Sequence, residues 1–208
     1  MAHIGGAEKL VQTGFETWLE TFTPPIVTMM IAMIRRQIPH MGCVAGAVAL
    51  PGFAVADSPK VRSPDDALRW LDRLEKMDKN TRVASTTTWT LAAVFEHLAQ
   101  SIEMSQNGFP EPRSALFQNT AGAAAFTFFK WRGKMSHGLT EPIPGAPALA
   151  QVDDWHIAAL RLRAAIMRFA RFNGALKPHF AYGHLSREEF SLAHAFHIAN
   201  HQDEIVVG

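Results

Sequence analysis

One cysteine, one tyrosine and almost no net charge bound this chain before any motif is read. Cys43 is alone among 208 residues, so neither an internal disulfide nor a cysteine zinc cluster is available. The formal charge is +1, which gives no basis for expecting nucleic acid as a partner. No apolar run in the region after Asp57 approaches a bilayer span, and the run Ile26–Ile34 is also too short. There is no internal repeat, no low-complexity tract, no G-x-S-x-G, no P-loop and no dinucleotide fingerprint. Hydrophobic residues make up 48%, enough for a folded domain with its own core.

What the chain does have is histidine: ten in all, five of them between His179 and His201. Ser186 followed by Glu189 is a capping-box pattern, so a helix is expected from about Arg187. On it His194, His197 and His201 fall at i, i+3 and i+7 and share one stripe, extended by Phe190 and Ile205. His197 and His201 are one turn apart, a spacing that lets two imidazoles reach one ion. The competing reading is a set of hydrogen-bonded core histidines, and the helix alone does not decide between them.

Residues 1–56 read differently from the rest. A short amphipathic helix is possible over Glu8–Phe22, ended by Thr23-Pro24-Pro25. Met33 then opens the grammar of an export signal: Arg35-Arg36, a small-residue apolar stretch Met41–Val55, and Ala54-Val55-Ala56 as an A-x-A cleavage site before Asp57. The paired arginines resemble a twin-arginine signal, although Ile38-Pro39-His40 departs from the usual apolar pair. His40 also rules out a lipoprotein box at Cys43. The expectation is an upstream extension over 1–32, a signal segment over 33–56 and a folded domain over 57–208. A periplasmic or secreted protein follows, or a cytoplasmic one if the signal does not function. The alternative for the small-residue segment is an ordinary buried hairpin.

From Asp57 onward the pattern predicts an all-α bundle, with helices near 64–79, 90–106, 114–132, 154–173 and 187–205 and no strand. Ser63-Pro64-Asp65-Asp66 is a helix start. The second helix carries Leu91, Val94, Phe95, Leu98 and Ile102 on its core face, with His97 and Ser101 on the flank. Glu96 and Glu103 read as solvated. The third helix is small-residue rich at Ala121–Ala125 and could form a homodimer face. Gly133–Ala150 is a long Pro/Gly-rich connection, of a length that often covers something or is functional; its His137 could reach a site, though it reads first as a surface residue. In the fourth helix Ile157, Leu160, Ala164, Met167 and Phe172 read as buried, and Arg161, Arg163, Arg168 and Arg171 as solvated.

Two segments, Trp89–Ser101 (W-T-L-A-A-V-F-E-H-L-A-Q-S) and His179–Phe190 (H-F-A-Y-G-H-L-S-R-E-E-F), carry a resemblance. With the K-M-S-H-G-L-T-E-P-I-P-G-A-P loop and the terminal H-x-x-x-H, residues 60–206 resemble the DinB/YfiT-like superfamily, in an uncharacterised bacterial branch often carried behind an export signal. The resemblance implies a four-helix bundle with an additional helix and a divalent metal ion, zinc, nickel or iron, held by His97, His197 and His201. Asn200 stands where relatives often have histidine. Three imidazoles leave an ion with open positions, which suits activating a water or a thiolate. Ser101, Phe180, Tyr182 and His194 are candidates for the surrounding pocket. The expected activity is metal-dependent hydrolysis or thiol transfer on a small molecule. The alternative is a non-enzymatic metal-binding or oligomeric stress-related bundle. No stable membrane span is expected in the mature protein.

Overall fold

A computed structural model describes residues 54–55, 59–78 and 80–208. The expected leader and nearly all of the export segment lie outside the described residues.

Helix α1 (Pro64–Glu75) starts as its sequence dictates. The Ser63 hydroxyl accepts from the Asp66 amide at 3.1 Å, Pro64 fills the first turn, and Asp65 and Asp66 sit at the positive end of the helix dipole. Ala67, Trp70, Leu71 and Leu74 form its buried stripe. It ends at Glu75, short of the expected boundary near Asn80. Helix α2 (Leu91–Asn107), capped by Thr90, is buried on nearly every face. It is therefore the centre of the bundle, not a surface helix with one core face. That position corrects the reading of Glu96, which is 2% exposed.

The third helical segment is one rod in three parts: α3 (Ala115–Phe117), a π turn (Gln118–Gly122) and α4 (Ala123–Arg132), ended by Gly133 at φ +67°. The π turn serves a neighbour. Gln118 Nε2 donates to the carbonyls of His179 (3.4 Å) and Phe180 (3.1 Å), and the Gly122 backbone lies against the carbonyl of Ala181. A Cβ at position 122 would collide with that carbonyl. Gly122→Ala is expected to lower stability by about 1–3 kcal/mol, as overpacking does, measured by urea unfolding. An unchanged midpoint would show that the 176–185 loop yields freely.

Helix α5 (Trp155–Arg171) begins at Asp154, whose carboxylate accepts from the His156 amide at 2.9 Å. Its buried stripe is Ala158, Ala159, Leu162, Ala165, Ile166 and Phe169, which reverses the sequence expectation. Ile157, Leu160 and Met167 are exposed. Two apolar stripes compete on this helix. The alanine-rich one wins because small side chains let α5 lie close along α2. The arginines also bind across helices: Arg161 pairs with Glu96 and with Glu103 (2.8 Å), and Arg163 with Asp72 (2.7 Å) and Glu75 (2.9 Å).

Helix α6 (Arg187–Gln202) has the full capping box, with Ser186 Oγ accepting from the Glu189 amide and Glu189 accepting from the Ser186 amide. It stops at Gln202, before the expected 205. Ile205–Val207 instead forms β3, the middle strand of a small antiparallel sheet in the order β1 (Ala54–Val55), β3, β2 (Val83–Ser85). Val206 pairs with both Ala84 and Val55. The expectation of no strand after Asp57 is thus corrected. The runs Val83–Ser85 and Ile205–Val207 were too short to show alternation, and their β-branched residues settle into pairing only once the bundle brings them together. Two residues of the expected cleavage motif, Ala54 and Val55, form the outer strand β1.

Helices α1 and α2 each pack on both α5 and α6, so the four close in the order α1, α5, α2, α6. The α3–α4 rod is additional. The fold is all-α apart from the sheet. Among the described residues no helix is long and apolar enough to cross a membrane.

Candidate metal centre

The enclosed α2 delivers His97 from its middle, and α6 delivers His197 and His201 from its last two turns. His97 and His201 are 3% and 0% exposed. His197 is half-buried with its ring turned inward. One ring nitrogen from each of the three lies within 4.8 Å of the other two, a cluster that could hold a metal ion.

The atoms fit an ion closely. His97 Nε2 and His197 Nε2 are 3.2 Å apart. Two nitrogens at tetrahedral positions around one zinc-like ion stand about 3.3–3.4 Å apart, given bonds of roughly 2.0–2.1 Å. A hydrogen bond between these two atoms would need a proton on one of them, whereas an ion needs two bare lone pairs. His201 Nδ1 lies 2.5 Å from Glu204 Oε1 in a fully buried pair. In the neutral ring the proton sits on Nδ1, facing the carboxylate, and Nε2 is then a bare acceptor. That Nε2 is buried and has no partner among the described residues. An orphaned buried acceptor costs about 1–3 kcal/mol, and a metal ion would remove that cost.

The surroundings orient the rings. Glu204 accepts a second hydrogen bond from Ser85 Oγ (3.1 Å), and Ser85 is joined to Thr87 Oγ1 (2.9 Å), so β2 fixes the carboxylate that fixes His201. His197 Nδ1 meets Ser101 Oγ at 3.2 Å, one turn along α2 from His97. The Trp89 ring stands edge-on to His97 at 5.1 Å between centres. Burial, reinforced by the charges that His201 and His137 would carry, holds His97 down at about 3. Burial first, then the neighbouring histidines, holds His197 well below the ordinary histidine range. Both rings are therefore neutral at physiological pH, the state in which imidazole ligates metal.

Of the other expected pocket residues, Ser101 touches the triad. His194 does not hydrogen-bond to it. Its Nε2 meets Ser105 Oγ at 3.3 Å, and its ring packs against Phe169 and Phe190 as a core residue. Phe180 packs on Phe109 and His179, and Tyr182 stacks on His179 and Phe126. They build an aromatic cluster under the 176–185 loop.

Two further residues stand beside the triad: Glu204, which the sequence reading misses, and His137, which it reads first as a surface residue and only second as one reaching a site. Glu204 is three residues past His201, on the same face, and this spacing was the available signal. His137 is half-buried and turned to the triad: its ring centre lies 4.8 Å from that of His197 and 5.4 Å from that of His201.

Comparison with known proteins adds the family. Neither the curated proteins nor the solved structures gave a match. A family model described as "Protein of unknown function (DUF1569)" matches residues 58–207, a span that includes all of the histidines above, His97, His137, His197 and His201. The chain therefore belongs to the DUF1569 family.

Proposed function

We propose that this protein binds one divalent metal ion through His97, His197 and His201 and uses it in metal-dependent hydrolysis of a small molecule. The observation that carries the reading is the buried, unpartnered Nε2 of His201, on a ring aimed by Glu204, beside two further imidazole nitrogens 3.2 Å apart. A carboxylate behind a ligating histidine raises its basicity and fixes its orientation. Zinc, nickel and iron all accept such a donor set. When bound, the ion would supply Lewis-acid polarisation and a lowered water pKa. The residues themselves do the rest: α2 and α6 hold the donors at a fixed separation, Ser101 orients His197, and Trp89 shields the His97 ring.

The same donor pattern supports placing the family in the DinB/YfiT-like superfamily, in which thiol transfer is the other reaction to consider. The export grammar of residues 33–56 favours hydrolysis, because low-molecular-weight thiols are scarce outside the cytosol. A periplasmic or secreted location is part of this proposal. A second reading, a metal-holding bundle without catalysis, draws support from the connection over residues 133–150. Met135 and Ile143 bury it against the domain, and Gln100 Nε2 donates to the Pro147 carbonyl at 2.9 Å.

Metal content by mass spectrometry tests the common core of both readings. Wild type is expected to carry close to one ion per chain, and His97→Ala and His201→Ala close to none. Glu204→Gln should retain the ion with affinity reduced about 10–100-fold. Wild type free of metal after reconstitution with zinc, nickel and iron would end the proposal. Given a loaded protein, turnover of ester, amide or phosphoester probes that is lost in His97→Ala separates catalysis from simple binding.

A further inference from the structure

The 133–150 connection places a fourth imidazole against the triad. His137 Nδ1 lies 2.8 Å from the Gly138 carbonyl oxygen. A carbonyl only accepts, so Nδ1 carries the proton, and the neutral ring leaves its Nε2 lone pair bare. Imidazoles bound through Nε2 to one tetrahedral ion have ring centres about 5 Å apart, given metal–nitrogen bonds of roughly 2.0–2.1 Å. The three pairs within the triad measure 5.0, 5.2 and 5.0 Å. The pairs His137–His197 and His137–His201, at 4.8 and 5.4 Å, fall in the same range, while His137 makes no such ring contact with His97 and stands outside the three-histidine cluster, so seating it on an ion asks for a small shift of the loop toward His97.

The backbone at this point is also held. Asn200 Nδ2 donates to the His137 carbonyl at 3.4 Å, and Asn200 directly precedes the ligand His201. Met135 and Ile143 are buried on either side of the histidine. The tether thus presents His137 from a loop, while the other three donors come from helices.

We propose that His137 is a fourth, loop-borne donor to the metal, so that the centre is four-coordinate when the loop is seated. This rests on the triad binding metal. A histidine on a loop can leave without disturbing α2 or α6, and its departure would free one position for an incoming ligand. Three helix donors hold the ion, and the fourth sets whether the site is closed or open.

Cobalt(II) titration of the full chain, followed by visible absorption, tests this. Wild type is expected to bind one cobalt with the intense bands of a tetrahedral ion. His137→Ala and His137→Gln should still bind one cobalt, about tenfold or more weakly, given what lost supporting groups cost metal sites. Their bands should be the weak ones of higher coordination, and added imidazole should restore the intense ones. Both variants matching wild type in affinity and spectrum would overturn the fourth donor and leave the triad standing. Wild type failing to bind cobalt, or His97→Ala binding it as wild type does, would remove the triad and this proposal with it.

Discussion

Chelation of the metal-loaded protein is expected to lower its melting temperature by about 8–16 °C. An ion bound only by the folded state, present at about a thousand times its dissociation constant, adds about 4 kcal/mol by mass action. For a domain of this size each kcal/mol moves the melting temperature by about 2–4 °C. A site that needs His97 and His197, separated by 100 residues, would form only in the packed bundle, so the folded state would be much the stronger binder. His197→Ala, which removes one of the three helix donors, should melt within about 2 °C of the same temperature with and without chelator. Scanning calorimetry on both proteins, each with and without chelator, measures this. Equal shifts in the two would mean that the metal acts elsewhere.

The metal-free protein should also lose stability steeply in mild acid, and His179 and His194 are the groups to follow. Burial holds both at about 3, with His194 adding to the effect on His179. In the unfolded chain each returns to about 6.5. Between pH 3 and 6.5 the unfolded state therefore binds more protons. The stability associated with these neutral rings is complete above pH 6.5 and falls as the pH drops toward 3. At pH 5 the loss is about 2 kcal/mol for each histidine. Urea unfolding of chelator-treated protein at pH 7.5 and pH 5 reads the difference. In His194→Leu that difference should shrink by about 2 kcal/mol. The cavity cost of the substitution is common to both pH values, and Ser105 keeps its 2.7 Å bond to the Ile102 carbonyl. The same difference in variant and wild type would refute the assignment.

Local signals in the sequence proved reliable where the chemistry is local. Ser63 with Pro64, and Ser186 with Glu189, start their helices as expected, because a cap needs only residues within one turn. The pairing of His97 with His197 and His201 was reached through resemblance, since no local rule relates positions 100 residues apart. Helix α5 misled because it has two apolar stripes, and choosing between them required knowing that α2 lies close enough to demand alanine. Glu96 misled for the same reason: on a helix covered on nearly every face, a carboxylate off the core face can still be inside, and Arg161 from α5 meets it there. Glu204 was hidden by extending α6 to residue 205. His137 stays undecided between surface and site because a loop residue has no periodicity from which to infer direction.

The enclosure of α2 has a consequence in time. A helix covered on nearly all faces opens locally only at its ends, so the amide protons in its middle are expected to exchange near the rate of global unfolding. His97 rides on that helix. An ion held there would be anchored unevenly: His97 would let go only when the middle of α2 opens, whereas His197 and His201 lie in the last two turns of α6 and could leave when that end frays. Metal release would then be faster than hydrogen exchange in the middle of α2, and its rate would follow the opening of the α6 end.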